Sequence, residues 1–145
     1  MENDFLKIWF TGFEQAIHMM KPEERDRLMR PCAKACSDSY PALMFAQAYA
    51  GAADRDEFFD SLQTLMKGLS IEKQEDGSAI FSYPCCYCDL YNMGYLSSPI
   101  LCECSRLNLI ANFESAMGKD CVDVTLLQSI LGGAESCKLL VRFLR

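Results

Sequence analysis

A single histidine and a single tryptophan occur among 145 residues, and cations are in short supply, with 14 lysines and arginines against 20 acids for a net charge of -6. Each scarcity excludes something. With His18 as the lone imidazole, a Ser-His-Asp or Cys-His scheme has only that residue to run through, and an H-E-x-x-H metal motif is ruled out. Glu14 lies one helical turn before His18, on a face that reads as solvated. The acidic balance has the wrong sign for gripping a phosphate backbone, and no basic run or aromatic-basic interleaving offsets it, which speaks against nucleic acid. No window nears the roughly 20 apolar residues that a bilayer span requires. The acidic opening Met1-Glu-Asn-Asp4 lacks the basic-then-apolar form of a secretory leader. A G-x-S-x-G elbow and a phosphate-cradling glycine loop are also missing. The expectation is a cytoplasmic protein without a membrane partner, of a size for one domain over 1–145 with a single core.

Cysteine is in excess, with nine at positions 32, 36, 85, 86, 88, 102, 104, 121 and 137. A reducing compartment disfavours a disulfide framework, and an odd number cannot pair completely within one chain. Metal binding, thiol redox chemistry and plain burial remain, since free cysteine is among the most buried residue types.

The pattern along the chain predicts an α+β fold, with N-terminal helices packed on an antiparallel sheet built from two hairpins and an intervening helix. Over 1–69 the reading is helical. Phe5, Ile8, Trp9, Phe13, Ile17 and Met20 recur at helical spacing behind a cap at Asn3 or Asp4. Pro22 with Glu23 and Glu24 opens a second helix, which Pro31 breaks or kinks at Arg30. Tyr40-Pro41 opens a third that runs to about Tyr49. A fourth runs from about Asp54 to Lys67, with Phe58, Phe59 and Leu62 inward and Gly68 as its stop. From Ser70 the character changes. Residues 70–75 and 78–83 flank the turn pair Asp76-Gly77, a cysteine-bearing loop spans 84–101, and a helix follows from Ser105 to Met117. Val122, Val124, Leu126 and Ile130 alternate on one strand, Gly132-Gly133 turns, and Cys137, Leu139, Val141 and Phe143 alternate on the next.

Cys85-x-x-Cys88 and, thirteen residues on, Cys102-x-Cys104 are the strongest chemical signal. Two thiolates from one tight turn can reach a zinc ion at about 2.3 Å, and a second pair can complete four ligands. A C-x-x-C pair can alternatively cycle through a disulfide when a thiol is acidified, although the strand-to-helix setting of a thioredoxin-type motif is absent. Cys137 on its strand is either a small core residue or a further ligand pointing at the same site. Cys32 and Cys36, four apart, form either a second ligand pair or close helix packing between alanines. Cys121 carries no functional argument. Glu103, Asp89 and Glu114 lie near the cysteines as candidate ligands or general base. Tyr83, Tyr87, Tyr91, Met93 and Tyr95 could line an apolar pocket, with ordinary packing as the plainer reading.

The stretch Cys102-Glu-Cys-Ser, Phe113-Glu114, Gly118-Lys119, Val122, Ser129-Ile-Leu-Gly-Gly and Cys137, with Met29-Arg-Pro-Cys-Ala-Lys-Ala-Cys36 before it, resembles the vinyl-reductase-type small-molecule-binding domain. It also resembles that domain's relatives described as aminothiazoline-carboxylate hydrolase-like, and the likeness covers roughly 25–145. The resemblance implies helices over an antiparallel sheet, a homodimer, a small-molecule ligand, and a zinc ion held by cysteines and a glutamate. Carried over, Cys137 matches the last ligand, and Cys102 or Cys104 falls near the first. Leu126 and Ser129 stand where the pattern has a glutamate and a cysteine, and Cys85, Cys86 and Cys88 could compensate if the loop 84–101 folds over the end of the terminal hairpin. The expectation is a small-molecule-binding or zinc-binding domain with Cys85, Cys88, Cys102, Cys104 and Cys137 around one metal. The alternative is an enzyme, either a hydrolase of small cyclic amides or a thiol-redox protein.

Overall fold

A computed structural model of the protein describes residues 2–144. The fold is α+β. Helices α1 (Glu2–Met19), α2 (Pro22–Ser39), α3 (Pro41–Ala50) and α4 (Arg55–Leu65) precede strands β1 (Ser70–Lys73) and β2 (Ala79–Tyr83). A single helical turn α5 (Asp89–Asn92), the long helix α6 (Leu101–Met117), and strands β3 (Val122–Gln128) and β4 (Cys137–Phe143) complete the chain. The four strands form one antiparallel sheet in the order β1-β2-β4-β3, so the first hairpin docks its second strand on the last strand of the chain. No described helix is long and apolar enough to cross a membrane.

Local chemistry explains most boundaries. The Asp54 carboxylate accepts the Glu57 amide at 2.9 Å to cap α4, satisfying one of the donors a helix start leaves open. Gly77 turns β1 into β2 with φ of +89°, beside an Asp76 carboxylate that accepts both the amide and the hydroxyl of Ser78. Those bonds hold the Asp76 carboxyl below its usual range.

Several boundaries differ from the sequence reading. Helix α2 runs through Pro31 to Ser39. The cost of the missing hydrogen bond is offset by packing, because Met29, Ala33 and Ser37 of that helix are buried and α2 lies along α6. Helix α6 starts at Leu101 rather than Ser105, which takes Cys102 and Cys104 out of the loop and into a helical turn. Strand β3 stops at Gln128, so Ile130 lies in the turn that follows.

The core lies between one face of the sheet and helices α3, α4 and α6. Phe113 of α6 is its hub, fully buried, with ring centroids 5.1 Å from Phe45, 5.4 Å from Phe81 and 5.5 Å from Phe143. Edge-to-face pairs of this kind contribute beyond their buried area. Cys121 belongs to this core and is completely buried.

A polar seam fixes α2 against α6. The buried Ser37 hydroxyl donates to Asn112 Oδ1 at 2.5 Å, Asn112 Nδ2 donates to Asn108 Oδ1 at 3.2 Å, and Asn108 Nδ2 donates to the Ala33 carbonyl at 3.1 Å. Replacing Asn112 by alanine strands a buried hydroxyl, which costs about 1–3 kcal/mol. Asn112→Ala should therefore lower the urea midpoint without changing the slope of the transition; an unchanged midpoint would show that the seam contributes nothing.

Candidate functional site

Strand β2 ends at Tyr83, directly opposite Cys137 at the start of β4. From there Pro84 leads the segment 84–100 across that end of the sheet. The segment is held from two sides. Gly68 turns α4 into β1 with φ of +87°, and a β-carbon there would overlap the Tyr87 hydroxyl. The same hydroxyl is hydrogen-bonded to Cys85, which together with partial desolvation raises the Tyr87 pKa. On the other side, α1 grips the segment near its end. The Glu14 carboxylate accepts the amides of Ser97 and Ser98, both at 2.8 Å, and the Ser98 hydroxyl lies 2.7 Å from His18 Nε2. His18 therefore has a partner, although the sequence reading left it simply solvated. The Phe10 and Tyr95 rings pack with centroids 5.4 Å apart, tilted by 32°.

Within that frame Asn92 Nδ2 donates to the Cys86 carbonyl at 3.1 Å, closing the Cys85–Cys88 stretch onto α5. Tyr87, Tyr91 and Met93 are exposed, so they are not the ordinary packing that the sequence suggested. Two open depressions, of about 370 and 500 Å³, border α3–α4 and the β1–β2 turn. Neither is lined by a cysteine.

The cysteines divide according to helix geometry. Residues two apart on a helix do not face one another, so Cys102 and Cys104 leave the first turn of α6 in different directions. Cys102 is buried and hydrogen-bonded to Ser129, in the turn after β3. Close by, the Cys137 sulfur accepts the Ile130 amide at 3.4 Å. Cys104 packs instead with the cluster of Met29, Ala33 and Leu107, toward α2. Cys32 and Cys36 project from α2 near enough to act electrostatically on Cys104. Cys88 lies within such reach of Cys36, Cys86, Cys102 and Cys104 alike.

Of the expected set, Cys102 lies within electrostatic reach of Cys88 and Cys137, Cys104 within reach of Cys88, and Cys85 is bonded to Tyr87. Cys86 acts on Cys102 as well, and Cys32 and Cys36 act on Cys104. The α2 pair was legible as two thiols one turn apart, and Cys86 as one of the compensating sulfurs. Cys121 sits at the other end of the β3–β4 hairpin, its carbonyl accepting the Leu144 amide at 2.8 Å. Among the described residues, no three His, Cys, Asp or Glu side chains stand close enough together to hold a metal ion as they are. The acids are mostly engaged elsewhere. Arg106, whose other partner is Asp26 at 2.6 Å, donates to Glu103 at 3.0 Å, and Glu114 accepts the Asp120 amide beyond the end of α6. Asp89 alone acts on a thiol, raising Cys36.

Four of the thiols resist ionisation. Burial is the largest cause of the upward shifts at Cys36, Cys86, Cys102 and Cys104, and neighbouring thiols add to it. The Ser129 hydrogen bond at Cys102 and the Cys88 amide at Cys86 work the other way but are outweighed. Cys104 is pushed up to about 12 from an ordinary 9.0.

That shift has a sign. A thiol whose folded pKa exceeds its unfolded value favours the fold below pH 9 and withdraws that support as pH rises toward 12. For Cys104 the loss is about 1.4 kcal/mol by pH 10. Denaturation titrations of Cys104→Ala should show a shallower alkaline decline than the parent chain; parallel curves would place the shifted thiol elsewhere. Compared with known proteins, the chain matches no family model, and no curated protein is close enough to count as a relative.

Proposed function

We propose that this is a thiolate metal-binding domain, with zinc as the default ion. One observation carries the reading: thiols from α2, the 84–100 segment, the start of α6 and the start of β4 lie within electrostatic reach of one another, with Cys88 reaching both Cys102 and Cys104. Chance burial accounts for single cysteines; it gives no reason for thiols of four separate elements to interact. Sulfur-rich donor sets without imidazole suit zinc and other soft ions. The domain's thiols repel one another as they ionise, and a cation placed among them reverses that penalty.

The vinyl-reductase-type resemblance supports the same place. Positions 129 and 137 of that pattern, and Cys102 as one of the two cysteines near its first ligand, are linked by the Cys102–Ser129 hydrogen bond and the electrostatic reach of Cys137 to Cys102. Ser129 replaces a cysteine of that pattern, and Cys86 and Cys88 act on Cys102 from the neighbouring segment, where they can substitute for it. Since no three ligands among the described residues are preassembled, binding requires the 84–100 segment to draw inward, and each thiol that coordinates gives up a proton. The raised pKa values of Cys36, Cys86, Cys102 and Cys104 weaken those four thiols as nucleophiles at neutral pH. The small-molecule ligand belongs to the resemblance alone.

Zinc and free thiols measured together on protein purified under reductant test the reading. Stoichiometric zinc is expected, falling at least tenfold in occupancy in Cys88→Ser and Cys102→Ser. Ser129→Cys should bind more tightly than the parent, by restoring a sulfur beside Cys102. Affinity should rise with pH between 6 and 8, by about tenfold per unit for each thiol ionised on binding. Nine freely titrating thiols and no retained or added zinc would defeat the proposal, and reversible formation of one disulfide would replace it with a redox role.

A further inference from the structure

Helix α1 has two apolar faces, and its own chain covers only one. The inner face carries Phe10, Phe13 and the buried Ile17, and meets the 84–100 segment through Phe10, Glu14 and His18. The outer stripe is bare. Phe5 is 68% exposed, Ile8 71%, Trp9 53% and Met19 87%, and Gly12 and Ala16 between them are exposed as well. No other helix or strand packs extensively on α1. Phe5, Ile8, Gly12, Ala16 and Met19 fall within about 80° of arc at 100° per residue, so they form one stripe.

The stripe is symmetric in spacing. From Phe5 the steps are three, four, four and three residues, which places Gly12 at the centre. Turned end over end about Gly12, the helix sets Phe5 against Met19, Ile8 against Ala16 and Gly12 against itself. Each large side chain then meets a small or a flexible one, and the backbones can approach at the one position without a β-carbon. Nothing lies within 4 Å of a β-carbon placed on Gly12 in the single chain, so its own fold does not demand glycine there.

The geometry points to an antiparallel, two-fold contact between α1 and the α1 of a second copy of this chain, centred on Gly12. Such a contact is isologous, each residue meeting its counterpart in both directions. Burying Phe5, Ile8 and Met19 of the stripe together with Trp9 at its edge on both copies removes on the order of 1,000 Å² from water, the lower bound for a specific interface. Charge argues against a lipid surface as the occupant. Membrane-surface helices carry several lysines or arginines on their polar face; Lys7 is the only one in α1, and the chain is net acidic. Thioether against aromatic ring, as in Phe5 with Met19, is a favourable contact in its own right.

The test is the mass of the full chain over a concentration series, under reductant so that intermolecular disulfides cannot imitate association. Trp9, the only tryptophan, reports from the stripe. The parent should run at twice the single-chain mass and dissociate on dilution, with Trp9 emission moving to the red as it does. Gly12→Arg and, separately, Ile8→Glu should hold the single-chain mass at all concentrations with unchanged circular dichroism. Ile8→Glu combined with Ala16→Lys should recover the double mass, because in this register the new carboxylate of one copy faces the new ammonium of the other. Single-chain mass for the parent throughout, or a double mass that Gly12→Arg leaves intact, would overturn the inference. So would a single-chain parent whose Trp9 emission shifts on neutral phosphatidylcholine vesicles, which would assign the stripe to lipid.

Discussion

Phe113 is wedged among Phe45, Phe58, Phe81 and Phe143, rings that come from α3, α4, β2 and β4. The helix that carries it has little freedom left. One side of α6 must serve this aromatic cluster, another must serve Met29 and Ala33 of α2 through Leu107, and Asn112 must meet Ser37. A helix that is buried on several sides loses the single apolar stripe of a surface helix, and its rotation about its own axis becomes fixed by packing. That rotation decides where the first-turn thiols go, sending Cys102 to Ser129 and the sheet end and Cys104 to α2.

Much of the framework was legible because it rests on local chemistry. Gly68, Asp76-Gly77 and Gly118 mark stops and turns that the backbone needs irrespective of tertiary context, and period-two runs fixed both hairpins. What escaped depended on distant partners. Pro31 reads as a break, yet burial of Met29 and Ala33 against α6 outweighs one lost hydrogen bond. The start of α6 was hidden because Ile100, its first flanking residue, offers no side-chain cap. Ser98 does part of that work from upstream, accepting the Ile100 amide at 3.2 Å. Periodicity likewise showed that α1 has apolar positions without saying which of them its own chain covers, so Phe5, Ile8 and Trp9 looked inward and are in fact exposed.

The candidate site was legible as a set of residues and not as a geometry. Spacing suggested two knuckles facing each other, a C-x-x-C and a C-x-C, as though both lay on loops. Folding the second into α6 separates its thiols and brings the α2 pair into play, which no spacing rule within 84–104 contains. The sequence also understated how firmly the segment 84–100 is pinned, since Glu14 and His18 reach it across some eighty residues of chain.

Helix α6 is a rigid rod with thiols at one end and the main aromatic contact of the core near the other. A rod transmits force. Anything that seizes Cys102 or Cys104 and pulls the first turn sideways would tilt Phe113 in its nest of rings. An event at the thiols would thus be felt mechanically in the heart of the domain, and a loosened core would in turn misdirect the thiols.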